Sequence, residues 1–132
     1  MKHAVETRVI APVLLIEDEA SVRAFVRAAL ERRGYTVVQA ASGAEGVGHL
    51  ASTNFAGVIS DIRMPGIING ADIHKWIQQH RPELASRIIL ISGDTANSET
   101  QSLLRGSATP CIEKPFRVQQ LITIVEKTFG KP

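Results

Sequence analysis

Near its N terminus the chain reads Val13-Leu14-Leu15-Ile16-Glu17-Asp18-Glu19, four apolar residues that end abruptly in three acids. Further apolar runs, at 57–60, 88–91 and 110–113, also end at a polar or charged residue, and a weaker run covers 35–38. Runs that are apolar throughout, rather than at alternate positions, indicate strands covered on both faces. The chain is therefore predicted to form a parallel sheet with helices on each side.

Amphipathic segments separate these runs. Between Val22 and Leu30 apolar residues recur at i, i+3, i+4, i+7 and i+8, the period of a helix, and Gly34 ends the pattern. Ser42 and Glu45 form a capping-box pattern that predicts the start of a second helix. The later predicted helices lie around 73–77, from 98 to about 106, and from 118 to 129.

The alternation of strands and helices gives a (βα)5 string. Crossovers between parallel strands are right-handed, and this rule leaves few topologies. The predicted class is α/β: a flavodoxin-like (βα)5 doubly wound parallel sheet with strand order 2-1-3-4-5.

Composition excludes several classes of protein. The 132 residues carry a net charge of +2 from 15 basic and 13 acidic side chains. Four arginines cluster between 23 and 33, but in a nearly neutral chain they form too weak a positive patch to predict direct DNA binding. No apolar run approaches the roughly 20 residues that span a bilayer, and the N terminus lacks a signal-peptide core. The single Cys111 excludes an internal disulfide and favours a cytoplasmic location.

Polar side chains follow four of the five runs. Three acids follow the first run, and Asp61, Ser92 and Lys114 follow the third, fourth and fifth. The carboxyl ends of parallel strands meet at one edge of the sheet, so these groups should share one rim. Crowded carboxylates repel one another and need a cation, and oxygen ligands alone favour Mg²⁺. With an ammonium and a hydroxyl beside them, they provide the groups needed for phosphoryl transfer.

Four segments, each at a strand end, resemble the receiver domain of response regulators over about residues 12–130. They are Leu15-Ile16-Glu17-Asp18-Glu19, Asp61-Ile62-Arg63-Met64-Pro65-Gly66, Ile91-Ser92-Gly93 and Glu113-Lys114-Pro115-Phe116. The expected organisation is an N-terminal extension at 1–11, a receiver domain at 12–130 and no output domain.

The resemblance implies a role for each site residue. Asp61 would be the phosphoacceptor, Ser92 the switch hydroxyl and Lys114 the cation that pairs with the phosphoryl group. The implied Mg²⁺ ligands are Asp18, Asp61, the backbone carbonyl of Arg63 and, through water, Glu17. The Lys114-Pro115 peptide bond is expected to be cis.

Three positions depart from the family pattern. Cys111 stands where these domains usually carry an aromatic switch residue, so the usual aromatic rotation is not expected. The loop at 65–70 is one residue longer than the common form, and Glu17 replaces the commoner aspartate. Arg63 and Asp94 lie two residues beyond the acceptor and switch positions, where they would tune the lifetime of the phosphoryl group.

The implied partners are a histidine kinase or phosphotransfer protein and a downstream protein, and the resemblance also allows a phosphorylation-dependent homodimer. No activity is expected beyond self-catalysed phosphoryl acceptance and slow self-dephosphorylation. Two alternatives remain open. One is a phosphatase similar to haloacid dehalogenases, which is disfavoured because Arg63 stands where that family needs an acid. The other is a receiver that binds partners without being phosphorylated.

Overall fold

The computed structural model describes residues 11–64, 66–93, 101, 104–105 and 108–132. The strands are β1 (Val13–Ile16), β2 (Val37–Ala40), β3 (Gly57–Asp61), β4 (Ile88–Ser92) and β5 (Cys111–Glu113). The helices in this part of the chain are α1 (Ala20–Arg32), α2 (Gly43–Ser52), α3 (Gly70–His80) and α4 (Val118–Phe129), with a 3-10 turn at Pro82–Leu84. None of these helices is long and apolar enough to cross a membrane.

All five strands pair in parallel in one sheet of order β2-β1-β3-β4-β5. This order confirms the predicted flavodoxin-like topology. The helix predicted from 98 to about 106, residues 1–10 of the predicted extension, and Asp94 fall wholly or largely outside the described residues.

Side chains of the central strands alternate between two apolar cores, one on each face of the sheet. Leu15, Ile59 and Ile91 belong to the core that contains the buried faces of α1 and α4. Leu14 and Leu90 belong to the opposite core, which contains the buried residues of α2 and α3. Because both faces are covered, the central strands β1, β3 and β4 are apolar up to their carboxyl ends, as the sequence indicated.

Polar caps begin two of the helices. Ser42 Oγ accepts a hydrogen bond from Glu45 N at 3.2 Å, as the capping-box pattern predicts for α2. At the start of α3, the side chains of Asn69 and Asp72 each accept a hydrogen bond from the other residue's backbone N–H. Each cap satisfies backbone donors that the first helical turn leaves unpaired.

Three sequence-based details differ from the structure. The second strand lies two residues later than the predicted 35–38, and Tyr35 is instead a buried residue whose hydroxyl donates to Gly130 O at 2.5 Å. Phe25 and Val118 lie on the predicted buried faces of α1 and α4 but are 40% and 46% exposed. Phe25 packs against Phe116 with ring centroids 5.9 Å apart, so its partly exposed ring has an aromatic neighbour.

Candidate functional site at the carboxyl edge of the sheet

The strand register brings the predicted site residues together. Asp61, the last residue of β3, pairs with Ile91, so Ser92 lies one residue beyond it on β4. Ser92 pairs with Glu113, and Lys114 follows directly after β5. The carboxylate, hydroxyl and ammonium positions are thus adjacent because three neighbouring strands end in register.

Lys114 is the centre of the charged groups at this edge. Its Nζ lies 2.8 Å from Asp61 Oδ2, 2.9 Å from Glu19 Oε1 and 3.3 Å from Glu17 Oε1. Burial alone would lower the pKa of the Lys114 ammonium, but its hydrogen bonds to Asp61 and Glu19 and the charges of Asp61 and Glu17 outweigh burial and raise it. Lys114 therefore remains a cation throughout the neutral range.

Asp61 is buried and has both carboxylate oxygens in contact with donors. Oδ2 accepts the hydrogen bond from Lys114, and Oδ1 accepts one from the backbone N–H of Arg63 at 3.2 Å. Ser60 is also buried, and its hydroxyl donates to the backbone carbonyl of Asp61 at 3.0 Å. These contacts fix the carboxylate in one orientation at the rim.

Glu17 follows β1 and is fully buried beside this cluster. The pKa of its carboxyl is raised to about 7, because desolvation and, to a smaller extent, the charge of Asp61 outweigh the lowering effects of the hydrogen bond from Glu19 N–H and of Lys114. Within the part of the chain that the structure describes, Glu17 Oε1 is the buried side-chain oxygen that lacks a hydrogen-bond partner. Its contact with Lys114 is an ion pair at 3.3 Å, which leaves this oxygen under-coordinated.

Glu19 is the site residue to which the sequence analysis gave no role. Glu17, Glu19 and Asp61 each place a carboxylate oxygen within 4.8 Å of the others. Asp18, which the family resemblance implied as a direct metal ligand, is not in that group; its backbone carbonyl accepts a hydrogen bond from Arg23 at 3.4 Å. The sequence signal for Glu19 was its place in the run of three acids after β1.

Other predicted residues lie at or near the same edge. Ser92 is buried, and its backbone carbonyl accepts a hydrogen bond from Lys114 N at 2.7 Å. Arg63 is exposed beside Asp61. Cys111 is half-buried on β5, and burial followed by the charges of Glu113 and Asp61 raises the pKa of its thiol, so it is not poised as a reactive thiolate. The Lys114-Pro115 bond is cis, as expected.

The donor set fits a hard divalent cation. Three carboxyl groups face one ammonium, and the under-coordinated Glu17 Oε1 lies among them. Oxygen ligands without imidazole or thiolate suit Mg²⁺, which holds a few carboxylates and keeps several waters. A groove of about 480 Å³ opens beside the cluster, and both Glu19 and Lys114 line it, so the ammonium can be approached from solvent.

A doubly wound sheet of order 2-1-3-4-5 with this acidic, lysine-bearing carboxyl edge defines a receiver domain of two-component signalling. The chain belongs to the response regulator receiver domain family, whose model matches residues 13–126. Domains of this family accept phosphoryl groups, bind Mg²⁺ in an acidic pocket and interact with histidine kinases or phosphotransfer proteins.

Relatives occur both as parts of longer proteins and as separate domains. The chain is 32% identical to the sensor kinase CckA of Brucella abortus over 92% of its own length, but it spans only 13% of that kinase. It is 29% identical to the response regulator receiver protein CpdR of the same species, covering 87% of this chain and 93% of CpdR. The receiver domain of Brucella abortus NtrX is 28% identical, with a TM-score of 0.79 over 91% of this chain and 99% of that domain.

Proposed function

We propose that Asp61 accepts a phosphoryl group from a histidine kinase or phosphotransfer protein with Mg²⁺, and that Ser92 and Lys114 then switch a protein-interaction surface. The observation that supports this proposal best is the geometry of Asp61. Its buried carboxylate lies 2.8 Å from Lys114 Nζ and within one cluster of three carboxyl groups. An acidic acceptor beside a fixed cation is suited to receiving an anionic group.

In the proposed transfer, an oxygen of Asp61 forms a bond to phosphorus as the bond from phosphorus to the donor's imidazole nitrogen breaks. The nitrogen keeps the electron pair, and Asp61 becomes an acyl phosphate. Lys114 offsets charge on the phosphoryl oxygens, and the Ser92 hydroxyl can donate a hydrogen bond to one of them. Such positioning and neutralisation supply most of the catalysis in phosphoryl transfer.

The proposed Mg²⁺ ligands are the carboxylates of Asp18 and Asp61 and the backbone carbonyl of Arg63, with Glu17 acting through water. When bound, Mg²⁺ neutralises charge on the transferring group and on the acids themselves. Lys114 already offsets part of this charge through its three ion pairs. The proposal therefore divides the neutralisation between the ammonium and the metal.

The proposed partners are the donor kinase or phosphotransfer protein, a downstream protein and a phosphorylation-dependent second copy of this chain, in the cytoplasm and without DNA. The family match disfavours the phosphatase alternative. With Cys111 at the aromatic switch position, we propose that the signal passes through Ser92 and the segment that follows it.

Incubation with acetyl phosphate and Mg²⁺ is expected to add one acid- and base-labile phosphoryl group to the wild-type protein, measured by intact mass. Asp61→Asn should take up none, because the amide is not a nucleophile toward phosphorus. Asp72→Asn is the matched control: Asp72 is an exposed helix-capping acid, and this variant should be labelled like the wild type. Full labelling of Asp61→Asn would refute the acceptor, and an unlabelled wild type would favour the receiver that acts without phosphorylation.

A further inference from the structure

We infer that Glu19 is a positioning residue: it holds the Lys114 ammonium at the mouth of the unphosphorylated site and competes with an incoming phosphoryl group for it. This inference rests on the proposed function, because the competition matters only if Asp61 is the acceptor. If the inference is correct, Glu19 raises the concentration of an anionic phosphodonor that is needed to phosphorylate the domain.

The contact that carries the inference is direct. Lys114 Nζ donates hydrogen bonds to Glu19 Oε1 at 2.9 Å and to Asp61 Oδ2 at 2.8 Å, whereas Glu17 lies farther away at 3.3 Å. The ammonium is thus shared almost equally between the buried acceptor and Glu19. A phosphoryl group on Asp61 would need Lys114 to turn toward its oxygens, and the contact with Glu19 opposes that movement.

Helix capping does not explain the orientation of the Glu19 side chain. Glu19 is the N-cap residue of α1, yet its side chain makes no capping hydrogen bond. Its backbone N–H is held separately by Glu17 Oε2 at 3.0 Å. Replacement of the Glu19 carboxylate should therefore leave unchanged both the start of α1 and the backbone of the turn that joins β1 to α1.

Glu19 also lies on the route from solvent. Its side chain is 57% exposed, that of Lys114 is 17% exposed, and both line the groove of about 480 Å³ that opens beside the cluster. An anionic donor that reaches for Lys114 through this groove meets the Glu19 carboxylate first. Since ion pairs with an exposed partner are weak and screened by salt, the competition should be modest and sensitive to ionic strength.

The test compares acetyl phosphate loading of wild type and Glu19→Gln at saturating Mg²⁺. We expect the half-saturating donor concentration to fall about twofold to fivefold, the range expected for an exposed ion pair. The difference should disappear near 1 M salt, where the screening length is about 3 Å. Glu31→Gln is the matched control, because Glu31 is an exposed acid on the same helix that pairs with Arg27 at 3.0 Å; it should load like the wild type.

A second measurement tests the contact between Glu19 and Lys114 in the absence of phosphorylation. Modification of Lys114 by an amine-directed reagent in metal-free protein, followed by peptide mass, should be faster in Glu19→Gln than in wild type and Glu31→Gln. Equal Lys114 reactivity, an unchanged half-saturating concentration, or a change that persists at high salt would each overturn the role of Glu19. Faster Lys114 modification together with an unlabelled wild type would instead refute the proposed function, and the loading role of Glu19 with it.

Discussion

Replacement of Gly70 by alanine is expected to lower the free energy of unfolding by about 3 kcal/mol, near the upper end for overpacking a buried site. Gly70 is the buried first residue of α3, and its backbone N–H donates to Ile62 O at 2.9 Å. A Cβ at this position would lie 2.5 Å from the carbonyl oxygen of Asp61 and 2.6 Å from Ile62 Cα. Both are backbone atoms, so no side-chain rotation can relieve the clash.

Because that clash would displace the backbone of Asp61, we also expect acetyl phosphate to phosphorylate Gly70→Ala more slowly than the wild type. Urea denaturation measures the stability change, and intact mass measures the loading. Gly48→Ala is the matched control: a Cβ there meets no atom within 4 Å, and the residue lies on the exposed side of α2. It should gain about 0.5 to 1 kcal/mol, because glycine is costly inside a helix. If both variants had the same stability, the close packing of α3 on the end of β3 would be disproved.

The sheet order and the shared rim could be predicted because they depend on few rules. Strands that are apolar throughout must be covered on both faces, and parallel strands bring their carboxyl ends to one edge. Asp61, Ser92 and Lys114 follow from those rules alone, since each stands directly at the end of its strand. No side-chain detail was needed to place them together.

The second strand was misplaced because local preference and tertiary pairing disagree. Tyr35 and Thr36 have strong strand preferences, whereas Gln39 and Ala40 do not. The register with β1 decides the matter, since Val13 pairs with Val37 and Ile16 with Ala40. The Tyr35 hydroxyl instead donates a hydrogen bond to the backbone carbonyl of Gly130, the residue that follows the C-terminal end of α4.

The role of Glu19 could not be predicted for a related reason. Three consecutive acids follow β1, and the sequence does not show which of their side chains turn toward a lysine 95 positions later. The full burial of Glu17 was equally hidden, because it depends on how the neighbouring strands and their connections pack around this residue. Side-chain direction in a turn is a property of the assembled site rather than of the local sequence.

Glu17→Gln is expected to stabilise the metal-free protein by about 2 to 3 kcal/mol at pH 8, from the linkage of a pKa shift to stability. Burial raises the pKa of Glu17 from its ordinary 4.5 to about 7. Between these values the folded protein keeps a proton that the unfolded chain has released, so wild-type stability falls as pH rises through this window. Above about pH 7 the buried charge costs its full amount, whereas below about pH 4.5 both states are neutral and the variant has no advantage.

Urea denaturation of both proteins in chelator, from pH 4 to pH 8, tests this expectation. Glu83→Gln is the control of opposite sign: the hydrogen bond from Arg81 lowers the pKa of Glu83, so that variant should lose a little stability at neutral pH. Adding Mg²⁺ should stabilise the wild type more than Glu17→Gln, because the cation binds the ionised carboxylates only in the folded state. If the stability difference between wild type and Glu17→Gln did not grow from pH 4 to pH 8, the raised pKa of the buried Glu17 would be disproved.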